Sequence, residues 1–342
     1  MSPNTAPSSL RPLAVTMGEP AGIGTEITLK AWLRRSESTH PFFLLDDFER
    51  VCDINQSLNL NASIQRIETP DDAIGMYGEA LPVLHHPLRG TAVHGQPSPQ
   101  TATSVITSIE NAVEFSVKGE AAGVVTNPIQ KSVLYQSGFE FPGHTEFLGE
   151  LGGGNTQPVM MLACEGLRVV PVTVHISLVQ AISDLSSEII VQQAKMTHAA
   201  LQRDFGIMNP RLAIAGLNPH AGEEGAMGGE EETIIIPAIN SLKALGMDVS
   251  GPYPPDTLFT ERTRARYDAA ICMYHDQALI PIKTLDFEGG VNVTLGLPFI
   301  RTSPDHGTAL EIAGQGKANP QSLLAALKVA GEMACCRSQS VT

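Results

Sequence analysis

Short apolar runs alternate with stretches of helical spacing along the chain. Residues 12–17 (PLAVTM), 121–125, 158–164, 167–174, 212–216 and 269–274 are runs of strand length, and each predicts a β-strand. Between them, 102–118 carries apolar side chains at Ala102, Val105, Ile106, Ile109, Ala112 and Val113, a helical spacing with Gly119 as its stop. A second helical pattern fills 187–205 and ends at Gly206. Further helices are predicted from about Thr25, up to near Gly138, over about 233–245, and from Pro320, where proline is tolerated in a first turn. Residues 36–41 and 87–101 are rich in Ser, Pro and His and read as loops. With no internal repeat and no low-complexity tract, strands alternating with helices predict an α/β fold.

Composition narrows the class. The chain has 342 residues, too many for one compact core and suited to two domains. It is 42% apolar and 17% charged, which describes a globular chain and not a disordered one. The 31 glycines and 24 prolines suit many tight turns. A net charge of −14 argues against nucleic acid or an anionic membrane as partner, and makes any local gathering of cations stand out as an anion site. The five cysteines, at 52, 164, 272, 335 and 336, form no C-x-x-C pair and predict reduced thiols in a cytoplasm. The first ten residues, MSPNTAPSSL, lack an apolar segment and predict a frayed tail, not a signal peptide. No run approaches the roughly 20 apolar residues of a membrane span.

Candidate chemistry concentrates in 269–309. A buried strand there is followed by His275 and Asp276, then by Lys283, Gly289-Gly290, Asn292, Arg301, Asp305 and His306, on what read as loops between short apolar runs. Three histidines share one position relative to the pattern: His175 follows VVPVTV, His220 follows LAIAGLNP and His275 follows AAICMY. Strand ends are where α/β sheets place ligands, and three converging imidazoles make a divalent metal site. The alternative is three separate, locally hydrogen-bonded histidines; recurrence at three strand ends favours the metal. Asp276 can orient an imidazole or handle a proton. Asp256, in Pro254-Pro255-Asp256-Thr257, lies in a turn-rich loop, where an acid of this type more often makes an Asx turn or helix cap than does chemistry. Lys283 and Arg301 can hold a phosphate or be ordinary surface charge. His144-Thr145 can bind an anion, or can start a capped helix with Glu146. Glu223, Glu224, Glu230, Glu231 and Glu232 read as a solvated rim. The loop Gly18-Glu19-Pro20-Ala21-Gly22-Ile23-Gly24 is either an anion cradle or a tight strand-to-helix turn. It is not a G-x-G-x-x-G fingerprint, because Ile27 stands where the third glycine would be. Neither a G-x-S-x-G nor a P-loop motif occurs, so a covalent hydrolase or a kinase is poorly supported.

Five motifs, in order, resemble the 4-hydroxythreonine-4-phosphate dehydrogenase family of vitamin B6 biosynthesis over nearly the whole chain. They are Met17-Gly18-Glu19-Pro20-Ala21-Gly22-Ile23-Gly24, Pro142-Gly143-His144-Thr145-Glu146-Phe147, Leu217-Asn218-Pro219-His220-Ala221-Gly222-Glu223, Tyr274-His275-Asp276-Gln277, and the run GVNVTLGLPFIRTS at 290–303. The resemblance implies a two-domain fold like isocitrate and isopropylmalate dehydrogenases, with an inter-domain cleft. One domain would be discontinuous, 1–134 plus 297–342, and 135–296 would form the middle domain. It also implies a homodimer with its active site at the interface. The metal, Zn, Mg or Co, would be held by His175, His220 and His275. Substrate would meet His144, Thr145, Lys283, Asn292 and Arg301, with Asp256 and Asp276 as catalytic acids. NAD or NADP would bind without a Rossmann fingerprint, through residues the motifs do not identify; the segments after His220 and around His306 are the expectation. The implied reaction oxidises 4-phosphohydroxy-L-threonine at C3 and decarboxylates the product to 3-amino-2-oxopropyl phosphate. Alternatives are a sister dehydrogenase acting on a D-threonate or D-erythronate phosphate, and a nicotinamide-independent metal lyase or hydrolase.

Overall fold

The structure is a computed structural model that describes residues 10–37, 40–141, 143–154 and 158–339. Pro142 of the second motif and the first nine residues of the N-terminal tail lie outside the described residues. The chain is α/β and divides into two compact units, Met1–Gln157 with Leu297–Thr342, and Pro158–Gly296. Among the described residues no helix is long and apolar enough to cross a membrane.

The terminal unit is built on β1 (Leu13–Thr16), β2 (Phe42–Asp46), β3 (Ile64–Ile67), β4 (Leu81–His85) and β5 (Gly123–Val125), with the late strand Arg301–Pro304 beside β5. The order is β3-β4-β2-β1-β5 and then that late strand, all parallel. The sequences LAVT and FFLLD are buried at every position because a central parallel strand has both faces covered. The helix Ala102–Val117 lays Val105, Ile109, Ala112 and Val113 onto that sheet, against Phe43 and Leu45. Its chain reversal is Gly119, at φ +74°.

One boundary differs from expectation. The described residues 135–141 and 143–154 belong to the terminal unit, not the middle one. The reason is packing: Phe147 and Leu148 of the helix His144–Leu151 are buried in the terminal unit's core, and Phe139, edge-on, and Phe141, tilted, pack against Phe147 with centroids 5.1 and 5.2 Å away.

The middle unit contains β6 (Val159–Cys164), β7 (Leu167–Pro171), β8 (Arg211–Ala215), β9 (Asp248–Tyr253), β10 (Ala269–Cys272) and β11 (Val291–Leu295); the late strand of the terminal unit is β12. Its order is β11-β6-β7-β10-β8-β9. β11, β6 and β7 are antiparallel neighbours, whereas β7, β10, β8 and β9 run parallel. Its core gathers Leu162, Val169, Ala213, Ala215, Ala270, Cys272, Ala278 and Ile282. The helix Ser187–Phe205 is capped by the Ser186 hydroxyl and stopped by Gly206 in the left-handed region.

Residues 275–309 are more regular than the sequence suggested. Lys283 lies within the helix His275–Leu285, Asn292 on β11 and Arg301 at the start of β12. The helix holds despite Pro281 in its interior, because Ala278 and Ile282 are buried in the core.

Candidate functional site

In the terminal unit the site is built around Arg301. β12 places it beside Val124, and its side chain is 3% exposed. Its Nη2 donates to the Thr126 hydroxyl at 2.7 Å and lies 3.5 Å from His144 Nδ1. Burial lowers the guanidinium pKa to about 10, so it remains a cation at neutral pH. His144 opens its helix, with Gly143 as N-cap and no side-chain cap, so the capping-box alternative is not what this segment does. Burial of the ring, then the nearby charges of Arg301 and Lys131, hold the imidazole pKa well below its ordinary value. A neutral ring whose Nδ1 faces a guanidinium N–H carries its proton on Nε2. That Nε2 is buried and has no hydrogen-bond partner among the described residues. A buried donor without an acceptor, between two cations, fits an anionic group.

Lys131 was missed in the sequence. It opens the helix Lys131–Gln136, and its ammonium lies near Gly143, where an added Cβ would sit 3.1 Å from Nζ. The available signal was its position six residues past β5, but nothing in the local pattern distinguished it from surface charge.

The glycine loop after β1 is a structural turn. The amides of Glu19, Ala21, Gly22 and Ile23 are occupied by Pro128 O, the Glu19 carboxylate, Glu19 O and Thr308 O. Arg50 ties the loop through Pro20 O at 2.7 Å and pairs with the buried Asp46. An anion would have to displace these partners, so the cradle alternative is not supported.

In the middle unit, β7, β10 and β8 are adjacent and parallel, so their C-terminal ends share one sheet edge. His175 follows β7, His275 follows β10, and His220 lies in the turn Pro219–Gly222 after β8. The topology thus brings to one edge three histidines that are far apart in sequence. The His175 and His275 rings have centroids 5.7 Å apart, and both line a cavity of about 190 Å³ with Thr173, Tyr274 and Asp276. His275 Nδ1 donates to Asp276 Oδ1 at 2.7 Å, which leaves Nε2 as the lone-pair nitrogen, the form a metal ligand needs. Among the described residues, however, no three His, Cys, Asp or Glu side chains are grouped closely enough to hold a metal ion. The predicted triad is therefore a pair with the third imidazole on the neighbouring strand end. Its chemistry fits a divalent ion, but among the described residues the cluster is not closed.

Asp256 is exposed in the first turn of the short helix Pro255–Leu258, which packs beside the His220 turn. That helix has no side-chain cap, so Asp256 is not the capping residue its surroundings suggested. Lys283 lies two turns beyond Asp276, and its ammonium is 5.8 Å from the Phe287 ring centroid. Asn292 Oδ1 is buried without a hydrogen-bond partner among the described residues. Thr145 follows His144 in its helix, half-buried. Glu231 departs from the predicted solvated rim: it is 2% exposed and accepts hydrogen bonds from the His220 segment.

Comparison with known proteins gives consistent results. The family model for "Pyridoxal phosphate biosynthetic protein PdxA" matches residues 39–330. The 4-hydroxythreonine-4-phosphate dehydrogenase of Bradyrhizobium diazoefficiens is 53% identical over 339 residues, covering 96% of this chain and 98% of that one. The enzyme of the same name from Maricaulis maris is 51% identical over 340 residues, covering 97% and 100%. The crystal structure of 4-hydroxythreonine-4-phosphate dehydrogenase from Klebsiella pneumoniae superposes with a TM-score of 0.85 at 37% identity, covering 95% and 99%.

Proposed function

Because the chain belongs to the pyridoxal phosphate biosynthetic protein PdxA family, we propose that it oxidises 4-phosphohydroxy-L-threonine at C3 with NAD or NADP and a divalent metal, releasing CO2 and 3-amino-2-oxopropyl phosphate. The observation that carries the reading is the shared sheet edge. Three histidines, the family's expected ligands, follow three adjacent parallel strands, and one already has its Nδ1 engaged by a carboxylate. His175, His220 and His275 would hold the metal. A bound nicotinamide would supply a hydride acceptor, and a metal held by these histidines would supply the charge that acidifies the C3 hydroxyl and supports decarboxylation. Zinc, magnesium and cobalt all suit the expectation, though an imidazole set favours zinc or cobalt over magnesium.

The chain's own residues supply the rest. In the terminal unit, Arg301, Lys131 and the His144 Nε2–H make a grip for an anionic group such as a phosphate, with Thr145 beside it. In the middle unit, Lys283 offers a cation, and the buried Asn292 amide oxygen, without a partner among the described residues, can accept from a donor such as the substrate's amine. Asp276 holds His275 in its ligating tautomer. That leaves Asp256, exposed beside the His220 turn, to take the hydroxyl proton. The segments after His220 and around His306, whose Nε2 is buried without a partner among the described residues, are proposed for the nucleotide. We place the protein in the cytoplasm, where its cysteines stay reduced; among the described residues no disulfide forms. We propose that it works as a homodimer. In support, Ile176, Leu178, Val179 and Ile182 expose apolar side chains next to His175, and a partner subunit would cover them.

An anaerobic assay with 4-phosphohydroxythreonine and NAD tests the reaction. The expected result is NADH formation that a chelator abolishes and added metal restores, and that His220→Ala lowers at least 100-fold. Turnover unaffected by chelation or by His220→Ala would remove the metal assignment, and failure to reduce NAD would remove the dehydrogenase reading.

A further inference from the structure

We propose that Glu231 and Gln277 are positioning residues that set His220 relative to His275. The inference rests on the reading of those histidines as metal ligands. It begins with the backbone. Six consecutive residues, 220–225, have positive φ, at 52°, 53°, 79°, 43°, 55° and 88°, and four of them are not glycine. A left-handed run of this length does not hold itself, because each Cβ crowds its own carbonyl oxygen. Such a segment persists only where its surroundings over-determine it.

Glu231 supplies that constraint. Its Oε1 accepts from the backbone amides of Leu217 and Asn218, each at 2.8 Å, and its Oε2 accepts from Asn218 Nδ2 at 2.9 Å. The carboxylate is 2% exposed and reaches the segment just before the left-handed run. The run also packs against it: a Cβ on Gly222 would lie 2.7 Å from Oε2. Gln277 completes the connection. It is 5% exposed, and its Nε2 donates to Gly216 O at 2.8 Å while its Oε1 accepts from Met273 N at 2.6 Å. Gly216 directly follows β8 and Met273 directly follows β10, so one side chain bridges the strand ends that lead to His220 and His275. Thr173 extends the chain of bonds by donating to Met273 O at 2.9 Å, which ties in the end of β7 two residues before His175. Apart from the Glu231–Asn218 side-chain bond, these contacts are to backbone groups, so what they fix is where the loops stand.

The test is Co²⁺ affinity of the full-length protein, measured by competition with a chromophoric chelator, with the thermal melt followed in parallel. Glu231→Ala is expected to weaken Co²⁺ binding 10- to 100-fold, the range for lost supporting bonds around metal ligands. Glu231→Gln keeps an oxygen for the two amides, so a three- to tenfold loss is expected; this variant serves if the alanine form does not fold. Gln277→Leu should fall in the same range as Glu231→Ala. In a His220→Ala background, Glu231→Gln should cost nothing further, since the ligand it positions is gone. Unchanged affinity in Glu231→Gln and Gln277→Leu, or an equal loss with and without His220, would overturn the proposal and leave Glu231 a purely structural residue. Unchanged affinity in His220→Ala alone would instead remove the metal reading, and the positioning role with it.

Discussion

His144 shows how the environment of one residue sets its chemistry. Burial and two neighbouring cations keep its ring neutral, and the guanidinium at Nδ1 puts the ring proton on Nε2. It shares the neutral state with His40 and His86, which burial also holds below the ordinary histidine pKa. For all three, the unfolded chain takes up a proton near pH 6.5 while the folded chain does not. Their stability is therefore complete above 6.5 and lost as pH falls toward their folded values, by at most about 1.4 kcal/mol per pH unit for each. Asp268, Asp72 and Glu230 are held below the usual carboxylate range, so their losses begin only near pH 4. Glu19, raised by burial, opposes the trend weakly. Denaturant midpoints should change little between pH 7.5 and 6.5 and fall from 6.5 to 5.5, and His86→Gln should flatten part of that fall; a midpoint independent of pH from 6.5 to 5.5 would contradict the neutral histidines. The sequence marked His144 and Arg301 by their motifs. It could not show that they meet: their contact depends on β12 lying beside β5, a pairing across more than 170 residues. Glu231 was misread for the same reason, since an acid in a glycine-rich loop reads as solvated until its backbone partners are placed.

At the scale of elements, glycines distinguish a turn that only needs a left-handed residue from one that also needs space. Gly119 and Gly18 have nearly equal φ, +74° and +71°. A Cβ at Gly119 meets only the mobile end of Arg11, whereas at Gly18 it would lie 2.6 Å from Asn127 Cβ and 2.9 Å from Pro128 O. Gly119→Ala should cost the backbone strain alone, roughly 1–2 kcal/mol. Gly18→Ala adds a clash with a fixed strand end and should cost roughly 3–5 kcal/mol. Denaturant titration of the two variants separates the cases, and equal losses would mean that the Gly18 loop is free to move away from Asn127. Both helices with a clear apolar stripe, Ala102–Val117 and Ser187–Phe205, were legible to within a residue. The helix His275–Leu285 was not, because Pro281 and the polar opening His275-Asp276 argue locally against a helix that tertiary burial of Ala278 and Ile282 stabilises. Likewise β7 ends at Pro171, three residues before its apolar run does, although Val172 N still bonds to Cys272 O.

For the whole molecule, the metal cluster and the exposed apolar surface raise the same question. Two imidazoles stand together, no three metal-binding side chains are grouped among the described residues, and the segment following His175 exposes Ile176, Leu178, Val179 and Ile182 at 42%, 56%, 80% and 42%. Leu178, Val179 and Ile182 lie at i, i+1 and i+4 of the helix Leu178–Asp184, so they share one face. Leu178 and Ala181 also line the His175–His275 cavity. A second subunit seated on this face would cover the apolar side chains and close the open side of the cavity, which accounts for both observations at once. Val179→Asp tests it. Val179 is already exposed, so in a monomer the substitution should leave the melting temperature within about 1–2 °C. In the proposed dimer it buries a charge at the interface, and sedimentation should show a monomer at micromolar concentration. NADH formation should then fall in step with the dimer fraction and recover as protein concentration is raised. A monomeric variant with full activity would separate the apolar face from catalysis, and a wild-type protein that sediments as a monomer while fully active would rule the shared site out.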